Sequence, residues 1–139
     1  MQVIVLVIFL LFFACDITDE KKNIKSEIHL LSQNIEKDPT NTNLLFDRAT
    51  YNKQRNKLES ALFDLKQCVK LDSLNDSFHF SIAEIYFELS KKTNANGKYP
   101  SLVKNHITKA IKLNERNEKY HALFGELMLA YAKYRKAID

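Results

Sequence analysis

Chemistry in a polypeptide starts with its sulfurs, its imidazoles and its paired carboxylates, and this sequence has few of each. The cysteines are Cys15 and Cys68, and the four histidines include His79 and His121. Two cysteines cannot build a disulfide framework, and no CxxC pair exists to hold zinc or run thiol exchange. In an exported chain a single Cys15–Cys68 bridge stays open. Cys68 falls on an apolar stripe, where a thiol behaves as a small hydrophobe. His79 and His121 could ligate a metal, yet no Asp, Cys or third His is spaced to complete a site, and packing is their plainer role. Glu84 and Glu88 lie one helical turn apart, as do Asp16 and Glu20, a spacing routine on any solvated helix face. There is no His-Glu-x-x-His and no nucleophile elbow, and two glycines could hardly build a phosphate-cradling loop. The residues predict no catalytic centre, no metal and no cofactor.

Cys15 stands in a different context. Residues 3–14 read VIVLVIFLLFFA, without a charge, and from Asp16 the chain turns polar. A membrane-spanning helix needs about 20 apolar residues. A shorter run fits the apolar core of a secretory signal, although only Met1 and Gln2 precede it where a basic residue is usual. Phe12-Phe13-Ala14-Cys15 resembles the lipobox of bacterial lipoproteins. Ala14 matches the small residue before the cut and Cys15 the residue whose sulfur takes diacylglycerol, while Phe12 stands where Leu is commoner. The resemblance implies a signal peptide over 1–14 and a lipidated Cys15 opening a solvated tether over 15–23. Two or three acyl chains make such attachment stable. The alternative is an ordinary signal or an uncleaved anchor with an incidental cysteine.

The remaining side chains must be positioned by helices. Two glycines and two prolines leave too few turn signals for an all-β chain. Apolar residues recur at helical spacing instead. Ile24, Ile28, Leu31 and Ile35 predict an N-terminal helix over 24–38, ended by Asp38-Pro39 because the residue before proline avoids helical geometry. Further stripes run through Leu45, Ala49 and Asn52, then Leu58, Ala61, Leu62, Leu65, Cys68 and Val69. Phe78, Ile82, Ile85, Tyr86 and Leu89 follow, then Val103, Ile107, Ala110 and Ile111. The last is Tyr120, Phe124, Leu127, Met128 and Tyr131.

These stripes align with one another. "ALFDLKQCVKLDSLND" and "VKNHITKAIKLNERNE" share their pattern, and "LFDRATYN", "HFSIAEIY" and "HALFGELM" put Ala49, Ala83 and Gly125 at one place. A two-helix repeat of about 34 residues is the tetratricopeptide period, and the chain resembles that family. The resemblance implies an all-α fold, a short right-handed α-solenoid of helix-turn-helix repeats over 42–139. The units are 42–75, 76–117 with an inserted loop at 91–98, and a partial 118–139 whose second helix begins near Tyr134 and Ala137. Ala49, Ala83, Gly125, Ala61 and Ala137 are then small so that paired helices approach closely. The family's early aromatic is Leu45, His79 and His121 here, and its terminal proline survives only as Pro39. The inserted loop either touches a partner or is a tolerated extension, with Pro100 in the first turn of the next helix. Leu127, Met128 and Ile138 are expected to be poorly covered, which fits a fragment or self-association through that end.

The +4 net charge arises from 21 basic and 17 acidic residues interspersed along the chain, which is not the footprint of a nucleic-acid binder. The resemblance implies a groove, lined by the first helix of each unit, that receives a peptide or helix from a partner protein. The aligned candidates are Asn43, Ser77 and Lys119, then Phe46, Phe80 and Ala122, then Thr50, Glu84 and Glu126, and finally Lys53, Phe87 and Leu129. Aromatics mixed with carboxylates suit a partner with apolar and basic side chains. Phe80 and Phe87 have the alternative of packing between helices. Thr50 and Glu84 stand where a carboxylate-binding clamp would have asparagines, so that specificity is not carried over. The sequence reads as a non-catalytic interaction module, an adaptor held to a bacterial membrane through Cys15, in the cell envelope and at the outer rather than the inner membrane. The alternative is a structural subunit assembling through its C-terminal end.

Overall fold

The computed structural model describes residues 27–92 and 98–136, with side chains to Ala132 apart from that of Lys98. Cys15, the apolar run before it, most of the inserted loop, Ala137 and Ile138 lie outside the described residues. The regular elements described are all α-helices. No helix among them is long and apolar enough to cross a membrane.

Helix α1 (27–37) belongs to a unit that ends at Pro39. Ile35 of its stripe is buried, and Ile28 and Leu31 are half-buried. The helix stops where Pro39 forbids continuation, with the Asp38 amide donating to the carbonyl of Asn34 at 3.0 Å.

The second unit begins at Thr40. It holds α2 (Thr42–Gln54), α3 (Leu58–Leu71), α4 (Asp76–Lys92), α5 (Lys98–Leu113) and α6 (Glu118–Lys136). α2 packs on α3 and α4 on α5; α3 then abuts α4, α5 abuts α6, and α4 reaches α6. Two-helix units thus stack in sequence order as an all-α solenoid. The expected loop at 91–98 is trimmed at both ends, because Lys91 and Lys92 prolong α4 while Lys98 opens α5.

The turns between units repeat a device. "DPTN", "DSLN" and "NERN" each end in an asparagine, Asn41, Asn75 or Asn117, just before a first helix. Each side-chain oxygen accepts an amide of the opening turn: Leu44 at 3.3 Å, Ser77 at 3.1 Å and Lys119 at 3.1 Å. Asparagine is favoured there because it satisfies an amide that has no helical partner. One turn further on, Nε2 of His79 donates to the Ser73 carbonyl at 3.1 Å, and Nε2 of His121 to the Glu115 carbonyl at 2.7 Å. The aligned histidines fasten each helix to the turn that precedes it. No cluster of three or more metal-ligating side chains forms among the described residues.

His79 has a second partner. Its Nδ1 lies 3.1 Å from Nδ1 of His106 on α5. The ring centroids, 5.4 Å apart, add little more than the ring radii to that distance, so the nitrogens meet head-on. Since Nε2 of His79 donates to a carbonyl, its Nδ1 in the neutral ring accepts, and His106 must donate. Burial, then the nearby His79 and Lys66, push His106 down to about 4.

The core follows the stripes. Leu45, Ala49, Asn52, Leu58, Ala61, Leu65, Cys68, Ile82, Ile85, Val103, Ile107 and Ala110 are buried. Ala49, Ala61, Ala83 and Ala110 sit almost without exposure inside one apolar cluster, as close helix approach requires. Arg48 of α2 donates from Nε and Nη2 to both oxygens of the buried Asp64 on α3, at 2.8 and 2.7 Å. That bidentate bond raises the Arg48 pKa against the opposing effect of burial. Cys68 is free and buried, and its thiol points at the Thr42 carbonyl 3.6 Å away. Burial and then the charge of Asp64 push it up to about 11, so it is an inert hydrophobe.

α6 departs from expectation three times. Its buried side is Tyr120, Leu123 and Leu127, whereas Phe124 is half-buried and Met128 and Tyr131 are exposed. The helix meets neighbours along one edge, which rotates the covered stripe by one residue. A Cβ on Gly125 would meet nothing within 4 Å, so close packing does not explain this glycine, unlike Ala49 and Ala83. Tyr134 does not open a second helix; α6 continues through it to Lys136.

Candidate functional site

A cleft of about 350 Å³ opens where α2, α4 and the start of α6 face one another. α2 supplies Phe46, Ala49, Thr50 and Lys53, one stripe at steps of three, one and three. α4 supplies Ser77, Phe80, Ser81 and Glu84 at the same steps, with Phe80 and Glu84 aligned to Phe46 and Thr50. Asn117, Lys119 and Tyr120 close the end, and Leu65 of α3 lies at the base.

Rings flank the opening. Phe80 and Tyr120 stack tilted with centroids 4.6 Å apart, and Phe46 leans on Phe78 at 5.2 Å. Tyr120 is fixed by its hydroxyl, which donates to Oδ2 of Asp76 at 2.7 Å. Nδ2 of Asn114 donates to the same oxygen at 2.9 Å. Burial opposes ionisation of Asp76, but these hydrogen bonds outweigh it and hold the carboxyl below its usual value. Asp76 therefore stays a carboxylate and keeps Tyr120 in place. Across the middle, Nζ of Lys53 on α2 donates to Oε2 of Glu84 on α4 at 2.6 Å, both side chains half-buried.

Of the residues the sequence nominated, Phe46, Thr50, Lys53, Ser77, Phe80, Glu84 and Lys119 line this cleft. The others lie elsewhere. Asn43 and Ala122 are exposed beyond it. Phe87 is a core residue with the Lys91 ammonium 4.1 Å above its ring. Glu126 faces the same Lys91 at 3.9 Å, and Leu129 is exposed on α6. The surface therefore narrows to the junction of α2 and α4 with the head of α6. The expected preference for basic partners also changes. Glu84 is neutralised by Lys53, and Glu126 lies outside the cleft, so Lys119 is the one lining charge without an opposite charge at ion-pair distance among the described residues.

Ser81 and Asn117 escaped sequence reasoning. Ser81 adjoins Phe80 but falls outside the aligned set of Ser77, Phe80, Glu84 and Phe87, and the repeated asparagine of the three turns would have flagged Asn117. Nothing in spacing along one helix reveals the Lys53–Glu84 bond, which joins two helices.

No protein-family model matches the chain, and no curated protein sequence matches it. Solved structures do. "First TPR of Spaghetti (RPAP3) bound to HSP90 peptide SRMEEVD" superposes with a TM-score of 0.69 at 18% identity, covering 81% of this chain and 83% of that one. The crystal structure of MamA protein gives 0.69 at 18% identity, covering 88% of this chain and 63% of the other. TTC0263, a thermophilic TPR protein in Thermus thermophilus, gives 0.67 at 16% identity, covering 82% and 60%. The chain thus spans most of the first and under two thirds of the latter two. At such identities the likeness speaks for architecture alone, and that architecture is the tetratricopeptide-like helical solenoid.

Proposed function

We propose that the second unit is a docking module for a segment of another protein, held in the cleft between α2, α4 and α6. The observation that carries this is the cleft itself: a water-accessible apolar floor with rings at its flanks and polar groups at fixed places. Such a surface takes an apolar side chain near Phe46 and Phe80 and lets Thr50, Ser77, Ser81 and Asn117 satisfy peptide polar groups. Lys119 favours an acidic residue at that end. A neighbour of the same architecture holding a peptide supports the reading. A random-peptide display selection tests it. Peptides recovered on the wild-type chain are expected to lose binding at least tenfold on Ser81→Arg, which fills the cleft, and to keep it on Glu59→Arg on α3. Equal binding to both variants would put the docking site elsewhere.

We also propose that the module is tethered to a bacterial membrane through a lipid on Cys15. The support is the apolar run ending in Phe-Phe-Ala-Cys. Intact mass of the chain made in a Gram-negative host is expected to show a species starting at Cys15 with added acyl mass, absent in Cys15→Ala. A full-length unmodified chain would remove this part of the proposal and leave the docking module untouched.

A further inference from the structure

Lysines that look scattered in the sequence are gathered by the fold. α5 contains four lysines and no carboxylate, and Lys104, Lys109 and Lys112 are all exposed. On α3 an exposed stripe climbs through Phe63, Lys66 and Lys70 at helical steps and continues to Leu74 in the following turn. Phe63 is 62% exposed, Leu74 70%, and Leu71 beside them 46%. Leu58, Ala61, Leu62 and Leu65 of α3 and Val103, Ile107 and Ala110 of α5 are buried in one apolar cluster, so the opposite sides of both helices are left to solvent. None of the five lysines lies within ion-pair distance of a carboxylate among the described residues. Glu59 is the exposed acid of α3, with Asp72 and Glu115 in the turns beyond. The five lysines outnumber these three acids. The docking cleft belongs to the other helices, α2, α4 and α6, apart from Leu65 at its base.

We infer that this face of α3 and α5 is a peripheral docking surface for an anionic lipid bilayer. The combination decides the partner. Lysines alone would suit any polyanion, but exposed Phe and Leu side chains interleaved with them match a lipid interface, where rings and aliphatics enter among the headgroups. Lysine stems lie along apolar surface while their ammonium groups reach the phosphates. Each lysine near an anionic leaflet adds attraction that salt screens within about 10 Å. A nucleic acid would gain nothing from burying Leu74, and a protein groove would not need so many unpaired ammonium groups.

The test uses the full chain carrying Cys15→Ser and Leu74→Cys, labelled at residue 74 with an environment-sensitive nitrobenzoxadiazole dye. Phosphatidylcholine vesicles containing phosphatidylglycerol are expected to shift its emission to the blue. Pure phosphatidylcholine vesicles, where residues 3–14 can still insert, are expected to leave it unchanged. The shift should vanish in high salt and in the triple variant Lys104→Gln, Lys109→Gln, Lys112→Gln, whose solvent-facing positions leave the helical circular dichroism intact. The inference is overturned by no shift on the anionic vesicles, by an equal shift on neutral ones, or by a shift that a short DNA duplex causes and the vesicles do not.

Discussion

The head-on contact of His79 and His106 has room for one proton between its nitrogens. With the other nitrogen of His79 committed to the Ser73 carbonyl, both nitrogens of His79 are satisfied in the neutral pair. Adding charge there opposes burial and the neighbouring Lys66. The linkage runs in one direction. His106 is held neutral in the fold, at about 4 against an ordinary 6.5, so its contribution to stability is complete above pH 6.5 and drains away as pH falls toward 4. Thermal midpoints by circular dichroism should decline across that window. In His106→Gln, which keeps a donor for His79 but does not titrate, the decline should be shallower; parallel profiles would refute the assignment. Residue spacing revealed that His79 and His121 occupy one place in the repeat. It could not reveal His106 as a partner, because that pairing depends on how far α5 is rotated against α4.

At the scale of the helix, the repeated small residue splits into two cases. Ala83 has no accessible surface and lies in the central apolar cluster, so Ala83→Leu must push α4 away from its neighbours at a cost of about 1–3 kcal/mol. Gly125 has the same alignment but open space around its α-carbon. Gly125→Ala should therefore stabilise α6 by about 0.5–1 kcal/mol, the ordinary helical preference for alanine. Urea midpoints of the two variants check both signs, and destabilisation by Gly125→Ala would mean that something covers this face. The helices α2 to α5 and their four stripes were legible because burial on two sides writes a strong period. α6 was misread by a residue because it is covered along one edge, where the period weakens. The helix bounds around the insertion were blurred for a related reason: Lys91, Lys92 and Lys98 are polar enough for a loop, yet lysine is also a good helix former.

For the whole molecule, the sequence separated first helices from second helices but not what each set presents to solvent. Seven nominated residues meet in the cleft because alignment of repeats places equivalent side chains on equivalent faces. Its charge balance was illegible, since Lys53 and Glu84 come from different helices and cancel only once α2 lies beside α4. The segregation of lysines was hidden for the same reason, as charges interleaved along the chain sort onto separate surfaces when every second helix turns the same way. A partner in the cleft and a lipid surface on α3 and α5 would use different helices, so the two contacts need not compete.

Within the second unit, packing between elements runs almost wholly from each helix to those nearest in sequence. Such a chain resembles a row of dominoes more than a drop of oil: no central nucleus commits every part at once, and each junction carries its own share of cooperativity. Beyond Leu127, α6 has no buried described residue. Opening should begin there and travel inward, junction by junction, toward the α4–α5 pair. Amide hydrogen exchange under native conditions should show this as a gradient, with the amides past Leu127 exchanging fastest, those of α6 near Tyr120 slower, and Ile85 and Ile107 among the slowest. The head of the cleft, built from α6, would then breathe while its α2–α4 walls stay shut, giving a ligand a route in that requires no wholesale unfolding.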